Sequence, residues 1–173
     1  MTNKRNDGNV SVKDEARTPM NIFIPLDAEF HFDLDAAATP ANALCPGYYT
    51  KEDDALSDMC PWYEDHGEDG CIKSIWCNPP YSNCNILKFV HKAYLESGKG
   101  ATVVLLIPSD PSTQYFDFCY QNSSEIIFMQ PRVRFNNPDG TPMKGSPQTG
   151  SMIVVFRPGE HDGTKLSIWK WKQ

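Results

Sequence analysis

Asn78-Pro79-Pro80-Tyr81 is the stretch of this chain whose residue types and spacing could do chemistry. Proline fixes φ, lacks an amide hydrogen and pushes the residue before it toward extended backbone, so Asn78 and Pro79 are both held extended. A corner built this way aims two acceptors outward, the side-chain oxygen of Asn78 and the backbone carbonyl of Pro79, beside the flat ring of Tyr81. Two acceptors and an aromatic plane suit the gripping of an amino group on a planar ring. The nitrogen lone pair of such an amine is delocalised into the ring. Acceptors on both of its hydrogens favour the pyramidal form that can attack an electrophile, and stacking on Tyr81 fixes the ring. The alternative is a rigid turn with a capping asparagine.

The elements that must position this corner are legible on both sides. "SIWC" (74–77) reads as a short buried strand that ends at the corner, and in open α/β sheets ligands bind beyond the carboxyl ends of strands. "NILKFVHKAYLESGKG" (85–100) follows as an amphipathic helix. Ile86, Leu87, Val90, Tyr94 and Leu95 recur at helical spacing, Lys88, Lys92 and Glu96 lie elsewhere on the wheel, and Gly98 stops it. "ATVVLLIP" is a continuous apolar run, as in a central strand covered on both faces. "TQYFDFCYQN" reads as helix, and "EIIFMQ", "RVRF" and "SMIVVF" read as strands. Upstream, a short helix is expected over Met20 to Phe30, then a strand through Phe30, Phe32 and Leu34 that ends at Asp35, with a second short strand at "GYYT". Residues 57–73 are acidic and aperiodic and are expected as a surface loop with at most one helical turn. Strands alternating with helices imply right-handed crossovers and a mostly parallel sheet, with an antiparallel pair at one edge.

The 173 residues suit a single domain with a sizeable core. No segment reaches the roughly 18 uninterrupted apolar residues of a membrane span, and the N-terminus lacks the apolar region of a secretory signal, so a soluble, cytoplasmic protein is expected. Residues 1–17 are polar and without periodicity and are expected as a flexible tail. The net charge of −6 excludes coating of nucleic acid by bulk attraction, so any such contact must use a local basic face. Six cysteines occur without a CxxC pair and are expected as reduced structural thiols, although Cys71, Cys77 and Cys84 crowd the corner and keep a metal reading open.

The corner and its surroundings, "TP…LDAEFHFDLDAAATPANALCPGYYTKEDDAL…WCNPPYSN…VVLLIPSD.ST.YF…EIIFMQPRVRF…GSMIVVF" with dots for skipped residues, resemble the compact phage-type DNA N6-adenine methyltransferases of the Dam group. The resemblance runs from Thr18 to about Phe156. It implies a Rossmann-like, S-adenosylmethionine-dependent methyltransferase sheet, α/β and mostly parallel with an antiparallel edge. It also implies a catalytic domain over 18–157, a C-terminal extension over 158–173, and work in the cytoplasm of a bacterial host. On this likeness Asn78, Pro79, Pro80 and Tyr81 hold an adenine flipped out of DNA, and its N6 attacks the sulfonium methyl of S-adenosylmethionine. Thr18 and Pro19 resemble a cofactor-touching segment, for which a helix cap followed by proline is the alternative. Asp35, Ala36 and Ala37, within "DLDAAA", stand where the family wraps the methionine part of the cofactor, although the glycine-rich loop of many methyltransferases is absent here. Asp53 or Asp54, past the second strand, fits the ribose hydroxyls. Ser109 and Asp110, with Ser112 and Thr113, fall at the rim of the base pocket or serve as helix caps. Arg132, Arg134 and Lys144 supply the densest basic group for DNA. Trp169 and Trp171, interleaved with lysines, fit base stacking or an edge strand. DNA is the expected partner, with no membrane and no obligate protein partner evident. A protein glutamine amide as the acceptor, or a nonenzymatic DNA-binding module that kept the fold, are the competing readings.

Overall fold

The structure, a computed structural model, describes residues 16–65, 71–81, 86–144, 148–159 and 162–172. Its elements in chain order are α1 (Met20–Phe30), β1 (Leu34–Asp35), β2 (Gly47–Tyr48), β3 (Ser74–Cys77), α2 (Ile86–Lys99), β4 (Thr102–Pro108), α3 (Gln114–Asn122), β5 (Glu125–Gln130), β6 (Ser151–Phe156) and β7 (Lys165–Lys170). The seven strands form one sheet in the order β2-β1-β3-β4-β6-β5-β7. All neighbours are parallel except the two pairings of β6, which runs antiparallel between β4 and β5. This is the mixed, mostly parallel sheet of a Rossmann-like methyltransferase fold.

The period-two geometry of a strand sends alternate side chains to opposite faces, and here both faces are covered. Val103, Leu105 and Ile107 of β4, with Met152, Val154 and Phe156 of β6, join the core beneath α2 and α3. Val104 and Leu106, with Ile153 and Val155, join a second core beneath α1, where Trp76 meets Phe23 edge-on at 5.5 Å. That double covering is why these strands read as unbroken apolar runs.

Several expectations are corrected. Phe30 and Phe32 are not strand: α1 runs to Phe30, His31 closes it in the left-handed region, and Asp27 Oδ1 accepts from the Phe32 amide. The alternation of the phenylalanines reflects Phe32 packed on Phe23 and Trp76, with Phe30 stacked on Phe32, rather than a pleat. "RVRF" is irregular. Val133 is buried between two exposed arginines, which imitates a strand, but the nearest pairing is an isolated bridge between Asn136 and Arg17. The helix α2 passes through Gly98 and stops at Gly100, whose φ of +129 disfavours any side chain and where a Cβ would come within 2.9 Å of the Tyr63 ring. Its buried face also differs from expectation. Tyr94 and Leu95 are exposed, whereas Lys92 and Glu96 are buried. The 49–65 segment lies over that side of the helix: Trp62 is wholly buried against Phe89, its indole donates to the Ala55 carbonyl, and the Tyr63 amide donates to Glu96. The stretch from 57 onward is therefore partly core, and only residues 66–70 of it lie outside the described residues.

Residues 1–15 of the expected tail also lie outside the described residues, but Arg17 at its end is bonded to Asn136 in both directions, at 2.9 and 3.0 Å. The C-terminal segment set apart at 158 contributes β7 to the same sheet. Trp171 is buried there, with its indole donating to the Pro131 carbonyl at 2.6 Å, so it packs under the sheet edge and offers no face for stacking.

Candidate active site

Parallel strands place their carboxyl ends along one edge of the sheet, and this chain collects its polar residues there. Asp35 ends β1, Asn78 follows β3, Ser109 follows β4 and the 131–150 connection follows β5. Because β6 runs the opposite way, its start is at the same edge: the Ser109 amide donates to the Gly150 carbonyl at 3.0 Å. Arg132, Arg134 and Lys144, all exposed, thus stand on a connection that rises from the same rim as the corner.

At the corner Pro79 is buried and Asn78, Pro80 and Tyr81 are half-buried. Asn78 Nδ2 donates to Thr18 Oγ1 at 3.4 Å, and the Tyr81 hydroxyl reaches both Asn78 Oδ1 and the Leu106 carbonyl at 3.2 Å. The Tyr81 ring meets Phe135 edge-on at 6.0 Å. Burial, with Tyr115 and Cys77 nearby, pushes the Tyr81 hydroxyl well above its ordinary range, so it stays protonated and acts as a donor.

Beside Asn78 lies a cleft lined by Arg17, Thr18, Asp35, Ala37, Asn42 and Leu44, with Trp76 at its base. Asp35 is nearly fully buried, and its two oxygens accept from the Ala37 and Leu44 amides. Desolvation dominates those two bonds and pushes its carboxyl up to about 6. Arg17 Nε is buried and has no hydrogen-bond partner among the described residues. Thr18 is buried but does not cap α1: Pro19 is the capping residue and no side chain serves it. Of the remaining residues singled out by sequence, Ala36 is buried in the core under α2, next to the cleft rather than in its lining. Asp33, in the same run, ties β1 to β3 by accepting from the Lys73 and Ser74 amides. Asp53 and Asp54 are exposed, past β2. Asp53 accepts from the Thr50 hydroxyl and amide, which lowers its carboxyl below the usual range. Asp110 accepts from Ser112 and Thr113 caps α3, so both serve the turn into that helix. Arg17, Asn42 and Leu44 escaped the sequence reading. Arg17 adjoins Thr18 and was open to discovery, whereas nothing in the residues around 42–44 announces their approach to Asp35.

The family model of DNA N-6-adenine-methyltransferase (Dam) matches residues 5–172. The chain belongs to this family. It is 34% identical over 121 residues to a DNA N-6-adenine-methyltransferase of Escherichia phage T1, a match covering 69% of this chain and 46% of that protein. It is 35% identical over 166 residues to a DNA N-6-adenine-methyltransferase of Haemophilus phage HP1, covering 92% of this chain and 87% of that protein. The chain thus spans about half the length of the T1 relative and most of the HP1 one. Membership of a methyltransferase family implies a methyl donor. No group of three or more His, Cys, Asp or Glu side chains among the described residues is arranged to hold a metal ion. Cys84 lies outside those residues, Cys77 is buried with its thiol held well above the ordinary range, and Cys119 is pushed up to about 12 by burial. No helix among the described residues is long and apolar enough to cross a membrane.

Proposed function

We propose that this Dam-family chain transfers a methyl group from S-adenosylmethionine to the N6 amino group of adenine in DNA, in the cytoplasm of a bacterial host. The observation that carries the reading is the Asn78–Tyr81 corner at the carboxyl end of β3, with the cleft of Asp35 and Arg17 directly beside it.

The cleft fits the amino-acid end of that cofactor. A buried carboxylate that has spent two bonds on amides and a buried guanidinium nitrogen without a partner among the described residues line one small space. These are the complements of an α-ammonium and an α-carboxylate. Asp35 would take the ammonium, Arg17 the carboxylate, and Ala37 leaves room for close approach. Asp53 or Asp54 would meet the ribose. When bound, the cofactor supplies an electrophilic methyl on a sulfonium sulfur.

The protein's part is to position and polarise the acceptor. Asn78 Oδ1 and the Pro79 carbonyl receive the two hydrogens of the amine and draw its nitrogen toward the pyramidal form. Tyr81 sets the plane of the base. A new N–C bond forms as the S–C bond breaks, and the amine then gives up one proton. Asn78 is neutral and Tyr81 is held protonated, so neither takes that proton and it leaves to water. Arg132, Arg134 and Lys144 at the rim contact phosphates and orient the duplex without reading its sequence.

Labelled methyl transfer from S-adenosylmethionine to unmethylated duplex, with nucleoside analysis of the product, tests the reading. The native chain should yield N6-methyladenine. Asn78→Ala should keep its fold and cofactor binding but lose about 10²–10³ in turnover, the usual cost of one preorganised polar contact to developing charge. Absence of label in DNA from native protein that still binds cofactor would refute the substrate assignment.

A further inference from the structure

We propose that Thr18 is a positioning residue for Asn78, holding its amide from the cofactor side so that the opposite end faces the base. This rests on the adenine-methylation reading above and adds a role for a residue whose position alone reads as a helix cap or a cofactor contact.

Three observations carry it. The hydroxyl of Thr18 is not used where a residue at the head of a helix would use it, because Pro19 is the N-cap of α1 and no side chain caps the helix. It is buried, and the contact it makes is with Asn78 Nδ2. The other end of the same amide meets the Tyr81 hydroxyl, which is itself anchored on the Leu106 carbonyl of β4. The amide is therefore gripped at both ends by hydroxyls that come from different parts of the chain. A hydroxyl donates or accepts as its partner requires, so the two contacts fix the plane of the amide in either sense. The amine of the base can only donate to the corner, and it selects the sense with Oδ1 toward Tyr81 and Nδ2 toward Thr18. The oxygen Oδ1 carries two lone pairs, so it can accept from Tyr81 and still leave the other open to the amine. Without Thr18 the Nδ2 end loses its partner among the described residues in this half-buried corner, and the amide rotates away from the plane the reaction needs. Position errors of this size act on the transfer step rather than on binding.

Thr18→Val keeps the shape and removes the hydroxyl, and Thr18→Ser restores it. Single-turnover methyl transfer at saturating cofactor and duplex should fall about tenfold in Thr18→Val and return to within about threefold of native in Thr18→Ser, with cofactor and duplex Kd changed less than about threefold in both. A rise in cofactor Kd with an unchanged saturated rate would assign Thr18 to cofactor binding and overturn the proposal. A second readout needs no catalysis: the side-chain NH2 resonances of Asn78, identified by their loss in Asn78→Ala, should shift in Thr18→Val and return in Thr18→Ser. Unchanged resonances would overturn it as well. Native protein that transfers no methyl to DNA would defeat the adenine reading alone, leaving the Thr18–Asn78 contact to be judged by these resonances.

Discussion

Asp35 shows how far burial can move one group at this site. Desolvation raises its carboxyl from the ordinary 3.8 to about 6, against the pull of the Ala37 and Leu44 amides. A carboxyl raised in the folded state binds its proton more tightly there than in the unfolded chain. Its stabilising contribution is complete below about pH 4 and is lost as the pH climbs through about 6. Denaturant midpoints between about pH 4 and 7 should record a loss on the order of 3 kcal/mol from this group. Asp35→Asn should flatten that part of the profile. Cofactor affinity should change in the opposite direction over the same window, because the ammonium end requires the ionised carboxylate, and this rise too should vanish in Asp35→Asn. A pH-independent affinity in the native protein would remove Asp35 from the cofactor site.

Among the elements, α2 carries an unexpected ionic core. Glu96 is fully buried and accepts from Lys92 at 3.2 Å, Lys99 at 2.8 Å and the Tyr63 amide at 3.1 Å. Desolvation pushes its carboxyl up, but the bonds from Lys99, Lys92 and Tyr63 outweigh it and hold the group below its ordinary range. Glu96→Ala leaves the Lys92 ammonium, only 9% exposed, with the Ser57 carbonyl but without its counter-charge, and should cost about 3 kcal/mol in urea unfolding. The double replacement Lys92→Met with Glu96→Leu should recover most of the loss, since a packed apolar pair replaces a buried ion pair with little penalty. A single variant as stable as native would mean that the pair is hydrated. This helix also marks the limit of pattern reading. Its extent was legible from apolar spacing, but the burial of Lys92 and Glu96 depends on Trp62 and Tyr63, which come from an acidic stretch with no periodicity of its own. The same holds for "RVRF", where alternation exists without a ladder. β3, β4 and β6 were legible because sandwiching between two helical layers forces unbroken apolar runs. The corner was legible because two prolines leave the backbone so few choices. Leu44 was not, because its amide meets Asp35 only through the bend of the 36–43 connection, which no periodicity announces.

For the molecule as a whole, the parallel strands gather the corner, the cleft and the basic connection at one edge, so a chain of net charge −6 can still present cations to a phosphate backbone locally. Arg134→Ala combined with Lys144→Ala should weaken duplex binding and reduce the slope of log K against log salt by about 0.9 for each lost phosphate contact, or roughly 1.8 together. A slope equal to native would place the duplex on another face. The pairing of Thr18 with Asn78, 60 residues apart in sequence, has a consequence for how the molecule comes into being. Closing so long a loop is entropically costly until the sheet already holds its ends, and Arg17 with Asn136 must close one about twice as long. The pairing of β3 with β4 through the single helix α2 closes a loop about half as long. The contact of Thr18 with the corner therefore depends on the sheet that brings its two ends together. A chain whose sheet is incomplete therefore lacks the Thr18–Asn78 contact at the corner.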